Sequence, residues 1–370
     1  MSAAARRTVA RGAGTRPVER IAVRCPNWLG DVVMSTPALH ALRRARPEAR
    51  VTALVSDSLV PILEGAGLVD EVWGLASRGP EAGLRAWSED RRRIARANFD
   101  LALVMPESVS SAWLMRAAGV RRVVGFARDP LRKALLHEVV PAPSTWGRRR
   151  LVSRERFCTT LVDAVFGSPD RPQTDLRLHL GVTPQEVERL DEALVDAGSS
   201  PSAFATAPPV VLAPGASFGE TKCWPVESFA ALGDRLVAGG DPVVLIGAPG
   251  EEARVAAVET AMRAPAIVLA GRLDLGALKA LLRGAKALVA NDAGARHVAA
   301  AFGVPGVVFF GPTSVEKTAD NLASIEVLET QHACRPCYAR TCPIDHRCLR
   351  TISVETALAA TTRAAARADA

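Results

Sequence analysis

The sequence predicts an α/β protein of two doubly wound parallel sheets, and three observations predict it. Short β-branched runs alternate with segments whose apolar residues recur at helical spacing. The alternation stops once near the middle of the chain and then restarts. The length, 370 residues with 48% hydrophobic, suits two cores of ordinary size better than one.

The first repeat opens with the strand "RIAVRC" at residues 20–25. "PNWLGD" is its turn, "VVMSTPALHALRRA" has the apolar spacing of a helix, and "RVTALVS" follows as a second strand. "FDLALVMPES" and "VRRVVGFA" read as two more strands, short as parallel strands covered on both faces usually are. Between residues 167 and 209 the character changes. "GSPDRPQTD" reads as a loop, "TPQEVERLDEALVDAG" as an exposed charged helix with proline at its start and glycine at its end, and "SSPSAFATAPP" as a linker. Strands then return as "VVLAPGAS", "PVVLIGAPG", "AIVLAG", "ALVAND" and "GVVFFGPT", with a helix after each of the first four. The division that follows is a basic, disordered tail at 1–19, a first sheet domain at 20–180, a helix and linker at 181–209, and a second sheet domain at 210–350. Residues 351–370 form an alanine-rich helix expected to cross back onto the first domain.

Charge and cysteine content narrow the functional classes. A net charge of +7 favours phosphates, nucleic acid or an anionic membrane surface as partners. Only 5% of residues are aromatic and no nucleic-acid recognition motif occurs, which argues against a nucleic-acid binder. No run reaches the roughly 18 apolar residues of a membrane span, and the arginine-bearing start has no apolar core of a signal peptide. A cytoplasmic location is expected. The seven cysteines, an odd number, read as reduced.

In open parallel sheets ligands gather where carboxyl ends of strands meet helix starts, so the turns are where chemistry is sought. "NDAG" brings Asn291, Asp292, Ala293 and Gly294 to such a place, with His297 one helical turn on. The backbone donors of that helix attract an anion, while Asp292 suits a hydroxyl or the orientation of a neighbour. Helix capping by Asn291 or Asp292 explains the same residues equally well. "APGASFGETKCWP" favours the anion, because its glycines admit a ligand close to the backbone and Lys222 brings a full charge. Neither a P-loop nor a dinucleotide GxGxxG is present. "GAPGEEA" puts Glu251 at a helix start, where a carboxylate complements the dipole or accepts from ribose hydroxyls. "NWLGDVV" places Asp31 where it either caps a helix or faces the second domain as a base.

The segments "NWLGDVVMSTPALHALRRARP", "PGASFGETKCWP" and "NDAGARHVAAAFGVPGVVFFGPT", in this order, resemble the three signatures of the bacterial ADP-heptose:lipopolysaccharide heptosyltransferases. "GETKCWP", "NDAG" and the cysteine-bearing tail resemble the type II enzymes more than type I. The likeness implies a GT-B fold, inversion at the sugar, and transfer of heptose from ADP-heptose to heptosyl-Kdo-lipid A at the inner face of the inner membrane. It implies Asp31 as base and no metal at the diphosphate, and no Asp-x-Asp occurs. Lys222, Ser217, His297 and the donors around Asp292, Ala293 and Gly294 then surround the diphosphate and sugar, with Glu251 at the ribose and Leu273 near the adenine. Ser217 and Phe218 stand where type I enzymes carry threonines. A type I enzyme, a transferase of another nucleotide sugar and a sugar-nucleotide epimerase of the same fold are the alternatives.

Two features stand apart from the transfer chemistry. Cys334, Cys337, Cys342 and Cys348 have spacing that suits a structural zinc, with reduced thiols or a disulfide as the other readings. Basic runs in the first domain read as solvated helix faces or as contacts to an anionic acceptor. In the second case Arg148, Arg149 and Arg150 meet the phosphates and carboxylates of lipid A and Kdo.

Overall fold

The computed structural model describes residues 18–78, 83–147, 152–167 and 175–367. The first unit runs β1 (Arg20–Arg24), α1 (Leu29–Ala45), β2 (Arg50–Ser56), α2 (Val60–Leu63), β3 (Glu71–Leu75), α3 (Leu84–Arg96), β4 (Leu101–Val104), α4 (Val109–Ala117), β5 (Arg122–Gly125), α5 (Pro130–Leu135) and β6 (Glu138–Val139). The helices α6 (Arg154–Phe166), α7 (Pro184–Asp196) and α8 (Ala203–Thr206) lead to the second unit. There follow β7 (Val210–Ala213), α9 (Val226–Ala238), β8 (Val243–Leu245), α10 (Glu252–Ala261), β9 (Ile267–Val268), α11 (Leu275–Arg283), β10 (Ala287–Asn291), α12 (Gly294–Ala301), β11 (Gly306–Phe310), β12 (Ile325–Glu329), α13 (Arg347–Arg350) and α14 (Val354–Ala366).

Each unit holds one parallel sheet, ordered β3-β2-β1-β4-β5-β6 and β12-β11-β10-β7-β8-β9. Strand order reverses beside β1 in the first sheet and β7 in the second, so a crevice opens past the carboxyl ends of β1 and β4 and of β7 and β10. The central strands are buried along nearly their whole length, with Ile21, Val23, Val211, Val289 and Val307 inaccessible to solvent. Four strands lie at sheet edges, and three of the twelve, β3, β6 and β12, have no counterpart in the sequence reading. Those three are half-exposed and mix acidic residues among the apolar ones ("EVWGL", "EV", "IEVLE"), which hides the apolar run that marks a central strand.

Helix α1 begins earlier than its apolar spacing suggested and runs through Pro37. A proline there removes one intrahelical donor from the Val33 carbonyl. The hydroxyl of Thr36 supplies a replacement at 2.7 Å and itself accepts from the His179 backbone N–H at 3.0 Å, tying the helix to the interdomain chain. Helix α7 is closed by a capping box of Thr183 and Glu186. It is not simply a charged exposed helix: Glu186, Leu190 and Leu194 are buried where α7 packs on α11. The expectation that the C-terminal helix crosses back is also corrected. Ala357, Ala360 and Ala364 of α14 join the core of the second unit with Trp224 and Phe229. Small alanine side chains let α14 lie close on α9 and on β10 to β12, where it buries its apolar face.

Candidate active site

The two units meet head to head through the starts of α1 and α12. Gly30 has no Cβ because one would stand 2.7 Å from Cδ2 of the His297 ring, and a Cβ on Gly294 would stand 2.7 Å from Cδ2 of Leu29. Two glycines therefore allow the first turns of two helices from different units to touch. Asp31 sits on the first turn of α1, and the backbone donors of α12 open beside it.

Neither turn is a plain cap. Trp28 is the N-cap of α1 and makes no side-chain cap, and Asp31 lies three residues further on. The capping reading of Asp31 is thereby corrected: its half-buried carboxylate faces Arg154, whose Nε is 3.5 Å from Oδ1. Ala293 is the N-cap of α12, again with no side-chain bond, so the donors at the head of this helix are not taken up by Asn291 or Asp292. Asn291 is a cross-link instead. Its Oδ1 accepts from the Trp224 backbone N–H at 2.9 Å and its Nδ2 donates to the Pro214 and Gly215 carbonyls at 2.8 and 3.2 Å. Trp224, fully buried and stacked on Phe309, fixes the far end of the same loop.

Asp292 organises the cations. Its Oδ2 accepts from Lys222 Nζ at 2.7 Å and from the Thr313 hydroxyl at 2.8 Å, while Oδ1 accepts from Arg296 Nε at 3.0 Å. Its backbone carbonyl takes Lys222 Nζ again at 2.9 Å. Burial alone pushes this carboxyl up, but the adjacent Arg296 and Lys222 charges outweigh it and hold the group well below the usual carboxylate range. An ammonium has three donors, and among the described residues two are used on Asp292. His297 is buried, and burial followed by the Arg296 charge drives its ring far below its ordinary value, so it is a neutral imidazole.

Glu251 precedes α10 and places its carboxylate over Gly215, where any Cβ would meet Oε2 at 2.0 Å. Oε2 accepts from the Ala248 backbone N–H at 2.9 Å, and burial raises the carboxyl above its ordinary value. Ser217 is exposed on the loop between β7 and the short turn Glu220–Lys222. Leu273 is half-buried, just before α11. The structure thus brings Asp31, Lys222, Glu251, Asp292, Ala293, Gly294 and His297 to facing ends of the two sheets. Ser217 and Leu273 sit at the margin of the second. Arg148, Arg149 and Arg150 lie outside the described residues.

Sequence reasoning missed Arg154 and Arg296, which hold the two carboxylates. Arg296 had a signal, since it lies four residues after Asp292, the spacing of a helical ion pair. Arg154 had none, because it reaches Asp31 from a helix more than a hundred residues away.

The zinc reading falls on Cys334, Cys337, Cys342 and Cys348, which are all free cysteines here. Among the described residues no three His, Cys, Asp or Glu side chains stand close enough to share an ion. Cys348 is buried on α13 while Cys334 and Cys337 are exposed, and the intervening chain is held against the loop after β7 by Thr221 donating to the Ala339 carbonyl and His346 contacting the Thr221 carbonyl. None of the helices described is long and apolar enough to cross a membrane.

Chemically, the arrangement has a carboxylate at one pole and a cation with helix-terminal donors at the other. It suits deprotonation of a hydroxyl on one side while anionic charge develops on the other.

Comparison with known proteins shows the family. Residues 88–347 match glycosyltransferase family 9 (heptosyltransferase). The chain is 30% identical to the lipopolysaccharide heptosyltransferase 2 of Escherichia coli K12 over 312 residues, 81% of this chain and 84% of that protein. It is 29% identical to lipopolysaccharide heptosyltransferase 1 of Pseudomonas aeruginosa over 324 residues, 85% of this chain and 84% of that one. The E. coli ADP-heptose lipopolysaccharide heptosyltransferase II structure superposes with a TM-score of 0.77 at 24% identity, covering 95% of this chain and all of that one, which shows a shared fold of the GT-B type.

Proposed function

Because the chain belongs to glycosyltransferase family 9, the heptosyltransferases, we propose that it moves L-glycero-D-manno-heptose from its ADP ester to the first heptose of heptosyl-Kdo-lipid A. The observation that carries this reading is the contact of two helix starts, one bearing Asp31 and the other lying beside the Lys222–Asp292 pair. Type II rather than type I transfer is favoured by the "GETKCWP" and "NDAG" segments, which are built into the site through Lys222, Trp224 and Asn291.

In this reading Asp31 takes the proton of the acceptor hydroxyl as its oxygen attacks the anomeric carbon. The bond to the diphosphate breaks on the opposite face, ADP departs, and the configuration inverts. Asp31 can act only on a hydroxyl brought within hydrogen-bond reach. The leaving diphosphate requires no proton. Its growing charge is met by the third Lys222 donor and the head of α12, each charge-assisted bond contributing about 1.5 to 3 kcal/mol and the helix terminus about 0.3 to 2. Several such contacts stand in for a divalent cation. Neutral His297 donates to the donor without adding charge, Ser217 lies by the sugar, Glu251 takes the ribose hydroxyls, and Leu273 borders the adenine. The first unit receives the acceptor, with Arg148, Arg149 and Arg150 meeting its anionic groups, and the enzyme works peripherally on the cytoplasmic face of the inner membrane.

The test is transfer to purified lipid acceptors of defined length in the presence of EDTA, comparing wild type with Asp31→Asn. Activity kept in chelator, preference for heptosyl-Kdo-lipid A over Kdo-lipid A, and a loss of roughly 100-fold or more in the variant are expected. Transfer to Kdo-lipid A alone would refute type II specificity, and an active variant would refute the base.

A further inference from the structure

We propose that the face formed by α3, α4 and α5 is a docking surface for an anionic lipid bilayer. Three large apolar side chains are left in solvent there, Leu84 at 87%, Trp113 at 48% and Leu131 at 62% exposure. Each lies in the first or second turn of a helix that follows β3, β4 or β5, and because those strands are parallel their helices start along one edge of the sheet. It is the edge on which α1 presents Asp31.

Leu84 and Trp113 are joined through Trp87, and α5, which carries Leu131, packs on α4. Trp113 stacks on Trp87 of α3 with ring centroids 4.5 Å apart, and Leu84 is one helical turn before Trp87. Arg132, the neighbour of Leu131, donates to the Ser108 carbonyl at the head of α4, which fastens α5 to the same rim. Apolar groups gathered on one rim, rather than scattered singly, mark an interaction site.

Charge decides the occupant. Arg85, Arg92 and Lys133 are exposed on the same helices, and the exposed acid among them, Glu89, is paired to Arg85. Indole and leucine side chains ringed by cations suit the boundary between anionic headgroups and acyl chains, where the rings and alkyl groups sink in and the cations stay at phosphate level. A nucleic acid would use the cations but leave Leu84 and Leu131 idle. Docked this way, the crevice containing Asp31 faces the surface from which a lipid-linked acceptor projects. The alignment of the crevice with a lipid-linked acceptor rests on the proposed function; the surface itself does not depend on the transfer chemistry.

The experiment is sedimentation of the full chain with vesicles of phosphatidylethanolamine containing phosphatidylglycerol, set against vesicles of phosphatidylcholine. Replacing Leu84, Trp113 and Leu131 together by serine should weaken binding roughly ten-fold or more. Charge reversal at Arg85, Arg92 and Lys133 should weaken binding to the anionic vesicles by at least about five-fold per cation and leave the zwitterionic ones unaffected. Both variants should keep the melting temperature and the transfer rate to a deacylated, water-soluble acceptor. Wild-type tryptophan fluorescence should be quenched by brominated phosphatidylglycerol, and Trp113→Phe should lose much of that quenching while folding normally. Unchanged vesicle binding in both variants, or unchanged quenching in Trp113→Phe, would overturn the proposal. Loss of heparin or oligonucleotide binding with vesicle binding intact would overturn it in favour of a polyanion site. A wild type that binds vesicles but transfers no heptose to the soluble acceptor would sink the proposed function and leave this surface standing.

Discussion

Lys222 reaches across from the loop after β7 to place its ammonium 2.7 Å from the Asp292 carboxylate after β10. The two partners are not equivalent. Asp292 also carries Arg296, which is 1% exposed, so Asp292→Asn leaves a buried guanidinium unpaired. That should cost about 3 to 5 kcal/mol of stability. Lys222→Met leaves Asp292 with Arg296 and Thr313, and should unfold little more easily than wild type while losing transfer roughly 100-fold. Thermal denaturation alongside initial rates checks both. Equal destabilisation by the two substitutions would contradict the assignment.

Glu251 gives a prediction with a defined sign. Burial raises its carboxyl in the folded state, so the fold favours the protonated form. The stability it contributes is complete below the unfolded value of about 4.3 and is lost as pH rises through the higher folded value. Glu251→Gln should therefore melt higher than the ligand-free wild type at neutral pH, with the gap closing as the pH is lowered toward that of an ordinary carboxylate. ADP affinity should move the opposite way, falling about ten-fold at neutral pH as the charged acceptor for ribose hydroxyls is lost. Melting curves and ADP titrations across pH 4 to 8 separate the two effects.

In the proposed reaction the contact between α1 and α12 sets the distance between base and donor. Gly30→Ala drives a methyl into the buried His297 ring, and Gly294→Ala drives one into Leu29, whose Cβ is already 3.0 Å from the added atom. Each should cost about 1 to 3 kcal/mol as the helices part. Misplacing a reacting group by about 1 Å can cost 100-fold in rate. The turnover of Gly30→Ala should accordingly fall much further than its affinity for ADP, which the proposed function assigns to the second unit alone. Isothermal titration with ADP beside steady-state kinetics decides this, and parallel losses would contradict it.

Trp28 stands on the acceptor side of Asp31 in the proposed reaction. It is 66% exposed as the N-cap of α1, three residues before Asp31. An indole in that position offers its face to the C–H side of a sugar ring. Trp28→Ala should raise the KM for the acceptor several-fold and leave ADP binding unchanged, with stability within about 0.5 kcal/mol as for other surface changes. A change in donor KM instead would place Trp28 elsewhere in the reaction.

How much of this was legible in the sequence depends on whether the partners of a residue lie nearby in the chain. The turns carrying Asp31, Lys222, Glu251 and Asp292 were legible because each sets glycine and a charged side chain between a strand and a helix. The central strands were legible because burial on both faces leaves an unbroken apolar run. Asp31 was read with helix capping as one option, and only the observed start at Leu29 removes it. Arg154 gives no sign in the sequence that it will meet Asp31, because that contact is made by the packing of α6 on α1. The four-cysteine spacing was legible as a possible metal site, whereas the contacts of Thr221 and His346 that hold this segment to the loop after β7 have no signal in the chain. The alanine-rich tail could be recognised as a helix, but alanine content says nothing of which sheet it will cover.

Lys279 is the clearest signal left unread, a lone lysine in the apolar stretch "LGALKALLRGA". It is inaccessible to solvent, and its ammonium is 2.9 Å from the Glu64 carbonyl of the first unit, 2.8 Å from the Gly181 carbonyl of the interdomain chain and 2.9 Å from the carboxylate of Glu186 on α7. Burial lowers its pKa, opposed by Glu186. One residue of the second unit thus pins both the first unit and the linker at a single point. Lys279→Met removes the charge and leaves Glu186, still bonded to the Thr183 N–H, without its cation and two carbonyls without the ammonium, so it should cost about 3 to 5 kcal/mol. The paired change Lys279→Met with Glu186→Leu should recover part of that, because it removes the stranded carboxylate. If the pin also fixes how the two units meet, the double variant should fold yet transfer heptose more slowly, with ADP affinity intact. Wild-type turnover in a folded double variant would show that the pin serves stability alone.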